Sequence, residues 1–163
     1  MNILGDEGER AFAELMKKNN VKTDDVSGNP EYWVKDIDFI ITDRYGNERT
    51  IEVKNDACMS KTGNLYIETF NPRSIGQQGW FNFTEAEILA YEDANNKIFY
   101  FITLENLRNY INTNKQNIKI AGTPDGSKGY LVKLKEIKPL LMWETALYWS
   151  VIIKCSKTGK ISP

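Results

Sequence analysis

Two short stretches of this chain constrain its fold more than anything else in it. Lys35-Asp36-Ile37-Asp38-Phe39-Ile40-Ile41-Thr42 and Arg49-Thr50-Ile51-Glu52-Val53-Lys54-Asn55 both alternate with period two and are rich in β-branched residues, which is the pattern of half-buried strands. One set of faces, Ile37, Phe39 and Ile41 with Ile51 and Val53, is wholly apolar and must meet a core. The opposite faces carry Asp36, Asp38 and Ile40 on one strand and Thr50, Glu52 and Lys54 on the other, so acids and an amine collect on one side of a sheet. Asp43 to Glu48 joins the strands as a hairpin loop. A two-residue Gly46-Asn47 turn would move Ile41 onto the face of Glu52 and break the pattern. A three-residue loop, Tyr45-Gly46-Asn47, keeps the faces consistent and predicts Ile40 opposite Glu52 and Asp38 opposite Lys54.

The remaining chain reads as alternating helices and strands with no repeat, linker or low-complexity tract. Gly5 to Asn19 is predicted helical, with Phe12, Ala13, Leu15 and Met16 at helical spacing and Asp6, Glu7 and Glu9 in the first turn. Asp24 to Pro30 is turn-rich, and Asn64 to Phe70 reads as a third strand after a Lys61-Thr62-Gly63 turn. Thr84-Glu85-Ala86-Glu87 has the capping-box pattern, which predicts a helix from there to about Ala94. Ile98 to Thr103 reads as a strand buried on both faces. Leu104 to Ile111 reads as a helix capped by Thr103, and Gly129 to Lys135 as a further strand. The apolar run from Leu140 to Ile153 fits helix and strand equally. With 163 residues, 41% hydrophobic and 26% charged, the chain suits one folded domain over residues 1–163, not a disordered polymer.

The chain contains no histidine. That excludes Ser-His-Asp and Cys-His catalysis, HExxH zinc hydrolysis and any nuclease whose base is an imidazole. Two cysteines, Cys58 and Cys155, exclude a Cys-only zinc cage and fit a reducing compartment. The opening MNILGDEGER lacks the basic flank and apolar stretch of a signal peptide, and no run approaches the ~20 apolar residues of a membrane span; a cytoplasmic protein with no membrane partner is expected. Net charge is −1 but unevenly spread: residues 1–60 hold 8 basic and 13 acidic side chains, and residues 61–163 hold 13 and 9. The asymmetry fits an ordinary solvated surface or, more sharply, an acidic site in the first third with a later basic face for a polyanion.

Carboxylates and a lysine on adjacent strands suit one hard divalent cation and a water. Mg²⁺ binds a few carboxylate oxygens and leaves positions for a phosphate and a nucleophile, and Mn²⁺ substitutes readily. A nearby ammonium orients the water or stabilises charge on the phosphate. Such a set hydrolyses phosphodiesters without an imidazole.

Asp38 followed by Glu52-Val53-Lys54, with Gly8-Glu9-Arg10 opening the preceding helix, resembles the PD-(D/E)XK nuclease superfamily, including its Holliday-junction-resolvase-type members. The resemblance spans roughly residues 5–103; Ile37 stands where the family often has proline, and residues 104–163 form a C-terminal elaboration outside it. It implies an α/β, restriction-endonuclease-like fold, an α-β-β-β-α-β core with a mixed central sheet flanked by helices. It implies a Mg²⁺-dependent endonuclease of phage or bacterial type, cutting DNA to leave a 5′-phosphate and often working as a homodimer. Glu9, Asp38 and Glu52 would be the acidic metal ligands, the Val53 carbonyl a further one, and Lys54 the water-positioning lysine. Asp36 shares the face of Asp38 and stands as the alternative ligand, and Glu68 is either a further acid near the metal or a surface residue. Trp80, Phe81 and Phe83 read as core, and Lys61, Arg73 and the basic tail as phosphate contacts. The rival function is a nuclease fold without turnover that binds nucleic acid or a partner protein.

Overall fold

The computed structural model describes residues 3–43, 45–146 and 153–154. In chain order the elements are α1 (Ile3–Lys18), β1 (Lys22–Asp25), α2 (Pro30–Trp33), β2 (Phe39–Thr42), β3 (Glu48–Asp56), α3 (Met59–Thr62), β4 (Asn64–Phe70) and α4 (Trp80–Phe83). Then follow β5 (Ile88–Asp93), β6 (Ile98–Thr103), α5 (Leu104–Asn114), β7 (Lys119–Gly122), β8 (Lys128–Lys133), α6 (Leu134–Ile137), β9 (Trp143–Ala146) and β10 (Ile153–Lys154). The main sheet has strand order β1-β2-β3-β5-β6-β9-β10, and a smaller sheet has order β4-β8-β7. The main sheet is mixed because β3 and β5 run parallel while its other neighbours are antiparallel.

Both faces of the main sheet are covered. α1 lays Ala11, Phe12, Leu15 and Met16 against Phe39, Ile41, Ile51, Val53, Ile88, Ala90, Phe99 and Phe101. On the other face Leu89, Tyr91, Tyr100 and Ile102 pack with Leu65 and Ile67 of the small sheet, with Trp80 and Phe81, and with Leu104, Leu107 and Ile111 of α5. The expected α/β architecture, a mixed sheet flanked by helices, is therefore present. Among the described residues no helix is long and apolar enough to cross a membrane.

Several elements differ from the expectation. No helix runs from Thr84 to Ala94: Ile88 to Asp93 is a strand, every residue of it buried, lying between β3 and β6. A strand covered on both faces loses its alternation, so periodicity could not mark it. The capping-box residues serve other bonds. Thr84 Oγ1 accepts from the Ala86 N–H and donates to the Asp36 carbonyl, and Glu87 binds Arg49 and the Thr50 N–H. The 64–70 strand forms as expected but leaves the main sheet to pair with β8, and the meander is completed by the polar edge strand β1. That strand reaches into the segment read as turn, because an edge strand held by backbone pairing needs no apolar alternation. Ala13 is exposed and Ala11 takes its place in the helix stripe. Residues 134 and 135 belong to α6, not to the preceding strand. The apolar run after Pro139 contributes β9 and β10, with residues 147–152 outside the described residues.

Candidate active site

The hairpin of β2 and β3 pairs Phe39 with Ile51, Ile40 with Thr50 and Thr42 with Glu48. The turn that joins the strands is closed by Asp43, whose N–H donates to the Asn47 carbonyl. The expected register was two residues out. Its faces were right, because a shift of two preserves them. The correction matters chemically: Asp38, one step before β2, comes opposite Glu52, not Lys54.

Asp36 brings the chain into this position. Its φ of +54° is left-handed, a region that Asp tolerates better than most side chains. The alternation expected from Lys35 onward therefore breaks at this residue, and β2 begins only at Phe39. Ile37, expected on the face of Phe39, packs instead into the opposite cluster with Leu65 and Trp80. The turn is clamped from outside by the Thr84 hydroxyl on the Asp36 carbonyl, 3.0 Å, and by the Glu85 N–H on the Lys35 carbonyl, 2.9 Å.

Four side chains meet on the face of the main sheet that points toward α4 and the small sheet. Glu52 is fully buried. Its Oε1 is ion-paired with Lys54 Nζ, and Asp36 Oδ2 lies 3.8 Å from the same ammonium. Asp38 Oδ2 accepts the Val53 N–H at 2.8 Å, which fixes that carboxylate beside β3. The Trp80 ring covers Lys54, its centroid 5.3 Å from Nζ, a cation–π arrangement that strengthens as water is excluded. Burial pushes the Glu52 carboxyl well up, against the pull of Lys54. Burial likewise raises Asp38, while Lys54, the Val53 N–H and a hydrogen bond with Glu52 work downward. Burial opposes the Lys54 charge, but Glu52, Asp36 and Asp38 together outweigh it and hold the ammonium above its usual range.

Of the expected site residues, Asp38, Glu52, Lys54 and the backbone of Val53 are brought together, and Asp36 joins them. Glu9 lies on α1, which packs on the opposite face of β3, that of Ile51 and Val53. Glu68 is on β4, where its Oε1 accepts from Asn71 Nδ2 at 3.2 Å. Sequence reasoning missed two features. Trp80 was read as core, which it is, but it also roofs Lys54. Glu92 is a second fully buried carboxylate, held by Asn55 Nδ2 at 2.8 Å and facing Lys97 at 3.6 Å; it went unnoticed because its segment read as helix.

No protein-family model matches the chain, and no curated protein matches it in sequence. Among solved structures, the chain is similar to a bacterial homing endonuclease, I-Ssp6803I, with a TM-score of 0.51 and 18% identity over 81% of this chain and 78% of that one. The fold is nuclease-like. At that identity the likeness speaks for the architecture and not for the chemistry carried on it.

Proposed function

We propose that this protein is a divalent-metal-dependent DNA endonuclease of the PD-(D/E)XK type. The observation that carries the reading is the buried Glu52 carboxylate, flanked by Lys54 on its own strand and by Asp38 across the hairpin, on a nuclease-like fold. A fully buried acid with an amine two residues on and a second acid opposite is an expensive arrangement for a merely structural sheet face.

The donor set fits a hard cation. Glu52 Oε2 and Asp36 Oδ2 are buried and have no hydrogen-bond partner, whereas buried carboxylate oxygens are ordinarily satisfied. Among the described residues no three His, Cys, Asp or Glu side chains yet converge as a ready-made cage; the acids are instead gathered around Lys54. Asp38, Glu52 and the Val53 carbonyl would hold the ion, with Asp36 as the alternative acid. The Val53 N–H faces Asp38, and an extended residue turns its carbonyl to the same side of the strand. When bound, Mg²⁺ supplies charge neutralisation at the phosphate and a more acidic water.

The chain's own groups do the rest. Asp38 and Glu52, once ionised, bind the cation and accept protons. Lys54 keeps its charge through the working pH range because three acids surround it, so it serves as hydrogen-bond donor to the attacking water and to the phosphate oxygens, not as a base. The Trp80 ring covers one side of Lys54, while the lysine side chain stays 28% exposed and so open to a water or a phosphate. Incubation with linear, nicked, branched and single-stranded DNA in Mg²⁺ or Mn²⁺, with a chelator control, tests the reading. Cleavage that needs the metal and disappears in Glu52→Gln is expected; no cleavage of any of these substrates refutes it.

A further inference from the structure

The loop between β4 and α4 holds an isoleucine wholly in solvent on a framework with little freedom. Ile75 is fully exposed. The loop is closed at its base by a Phe70–Gln78 bridge and by the Asn71 N–H on the Gln77 carbonyl, 3.2 Å. Within it the Ser74 and Gln77 N–H groups donate to Asn71 and Ser74 carbonyls at 3.2 and 2.9 Å, and the Arg73 N–H to Asn71 Oδ1 at 3.0 Å. Gly76 and Gln77 both take positive φ, +71° and +56°, which makes the sharp tip. At its far end Gly79 packs on the small sheet so closely that a Cβ there would lie 2.4 Å from the Glu68 carbonyl oxygen. A mobile loop would need none of these bonds. They hold an apolar tip outward, with Gln77 and Gln78, both exposed, immediately behind it.

Two cations flank the loop. The Arg73 side chain is 72% exposed and lies 3.5 Å from the half-exposed Asp125, a surface pair that a phosphate can compete for, and Lys128 lies over the Phe70 ring at the loop base, 5.8 Å from its centroid. β7 and β8 add Lys119, Lys128 and Lys133 to the small sheet, Lys133 being paired with Glu136. The loop is also tied to the candidate site, since it runs directly into Trp80, which roofs Lys54. Ile75 lies five positions before Trp80, a reach of at most roughly 18 Å, or about five base-pair steps at about 3.4 Å each.

We propose that the loop Asn71–Gln78 is a duplex-DNA reading element in which Ile75 wedges into a base-pair step from the minor groove. Gln77 and Gln78 contact the adjacent base edges, and Arg73 and Lys128 take the flanking phosphates. The proposal deepens the nuclease reading and rests on it for the position of the cut. Apolar wedges flanked by amide side chains unstack a step and bend the duplex, and the extra contacts made on the bent DNA offset the unstacking. Cleavage would then favour duplexes that kink readily at a fixed distance from the cut.

Selection in Ca²⁺ from a randomised duplex library about thirty base pairs long, followed by end-to-end energy transfer on the enriched duplex, tests this without requiring turnover. Wild-type protein is expected to enrich duplexes with a flexible step and to bend them. Ile75→Ala, whose melting temperature should match wild type because the side chain is in solvent, is expected to bind roughly tenfold more weakly and to leave the duplex straight. The double variant Gln77→Ala/Gln78→Ala is expected to lose sequence preference next to that step. Unchanged affinity and bend in Ile75→Ala overturn the proposal, as does enrichment of no duplex by the wild type. A wild type that bends the selected duplex in an Ile75-dependent way yet does not cut it in Mg²⁺ upholds the wedge and removes the nuclease reading.

Discussion

The Asp38 carboxylate accepts the backbone N–H of Val53 at 2.8 Å, so the residue between Glu52 and Lys54 in sequence anchors the acid that faces them across the hairpin. A side chain takes the place of a strand here. β2 begins only at Phe39, and the Val53 N–H, which β2 would otherwise pair, is satisfied by Asp38. The site is thus built at the point where two strands part.

That arrangement separates the roles of Glu52 and Lys54. Glu52→Gln should weaken Mn²⁺ binding and abolish cleavage together, because it removes a ligand charge. Lys54→Ala should leave the ion bound, and more tightly, since a neighbouring positive charge is gone. It should still slow cleavage by about 10²-fold or more. Calorimetric Mn²⁺ titration beside single-turnover cleavage gives both quantities. Wild-type cleavage by Lys54→Ala would place the site elsewhere.

Asp36 and Asp38 should differ in kind. Asp38→Ala leaves the Val53 N–H without its acceptor and should cost about 1–3 kcal/mol of stability as well as activity. Asp36→Asn keeps a side chain that tolerates φ of +54° and should fold normally. Asp36→Val places a β-branched residue there and should lose about 1–2 kcal/mol. Urea unfolding of the three variants decides; equal stability of Asp36→Val and Asp36→Asn would mean the left-handed turn is not maintained in solution.

A phenol links the two sheets. Tyr91 Oη on β5 accepts the Tyr66 N–H of β4 at 2.9 Å and donates to Asp56 Oδ2 at 2.8 Å. Tyr91→Phe should cost about 1–3 kcal/mol, because a backbone donor and a carboxylate lose a buried partner while the ring's packing is kept. Hydrogen exchange should show the loss at Tyr66 first; unchanged protection there would contradict the link.

Stability and metal affinity should move in opposite directions with pH. Burial raises Asp38 from its ordinary value and Glu52 well above its own. At low pH these acids are protonated in both folded and unfolded chains. As pH rises past the ordinary range the unfolded chain ionises first, so the metal-free fold loses stability until the folded acids ionise too. Cation binding requires the ionised acids, so affinity should grow over the same interval, with proton release. Thermal unfolding with and without Mn²⁺ from about pH 5 to about pH 8 checks this: the stabilisation by metal should widen with pH. A constant difference would mean these carboxyls are not the ligands.

How much of this was readable along the chain depended on whether the signal is local. The alternation of Phe39 and Ile41 with Ile51 and Val53, the cap of Thr103 on α5, and the acid-amine face of β3 are all consequences of side chains within a few residues of one another. Each followed from the sequence by itself, as did the absence of imidazole chemistry. Parity was also local, so the faces came out right while the pairing was two residues out. What only the tertiary structure decided is what depends on residues distant in sequence. β5 is a strand because β3 and β6 cover its edges and two cores cover its faces, and this burial erased the period that would have marked it. The Thr84–Glu87 pattern caps nothing because Asp36, Arg49 and Thr50 claim its hydrogen-bonding groups first. Asp38 faces Glu52 because the hairpin pairs Phe39 with Ile51, and Trp80, 26 residues further along the chain, covers Lys54. Local preference sets which face a side chain shows; competition for burial and for hydrogen-bond partners across the whole chain sets what that face meets.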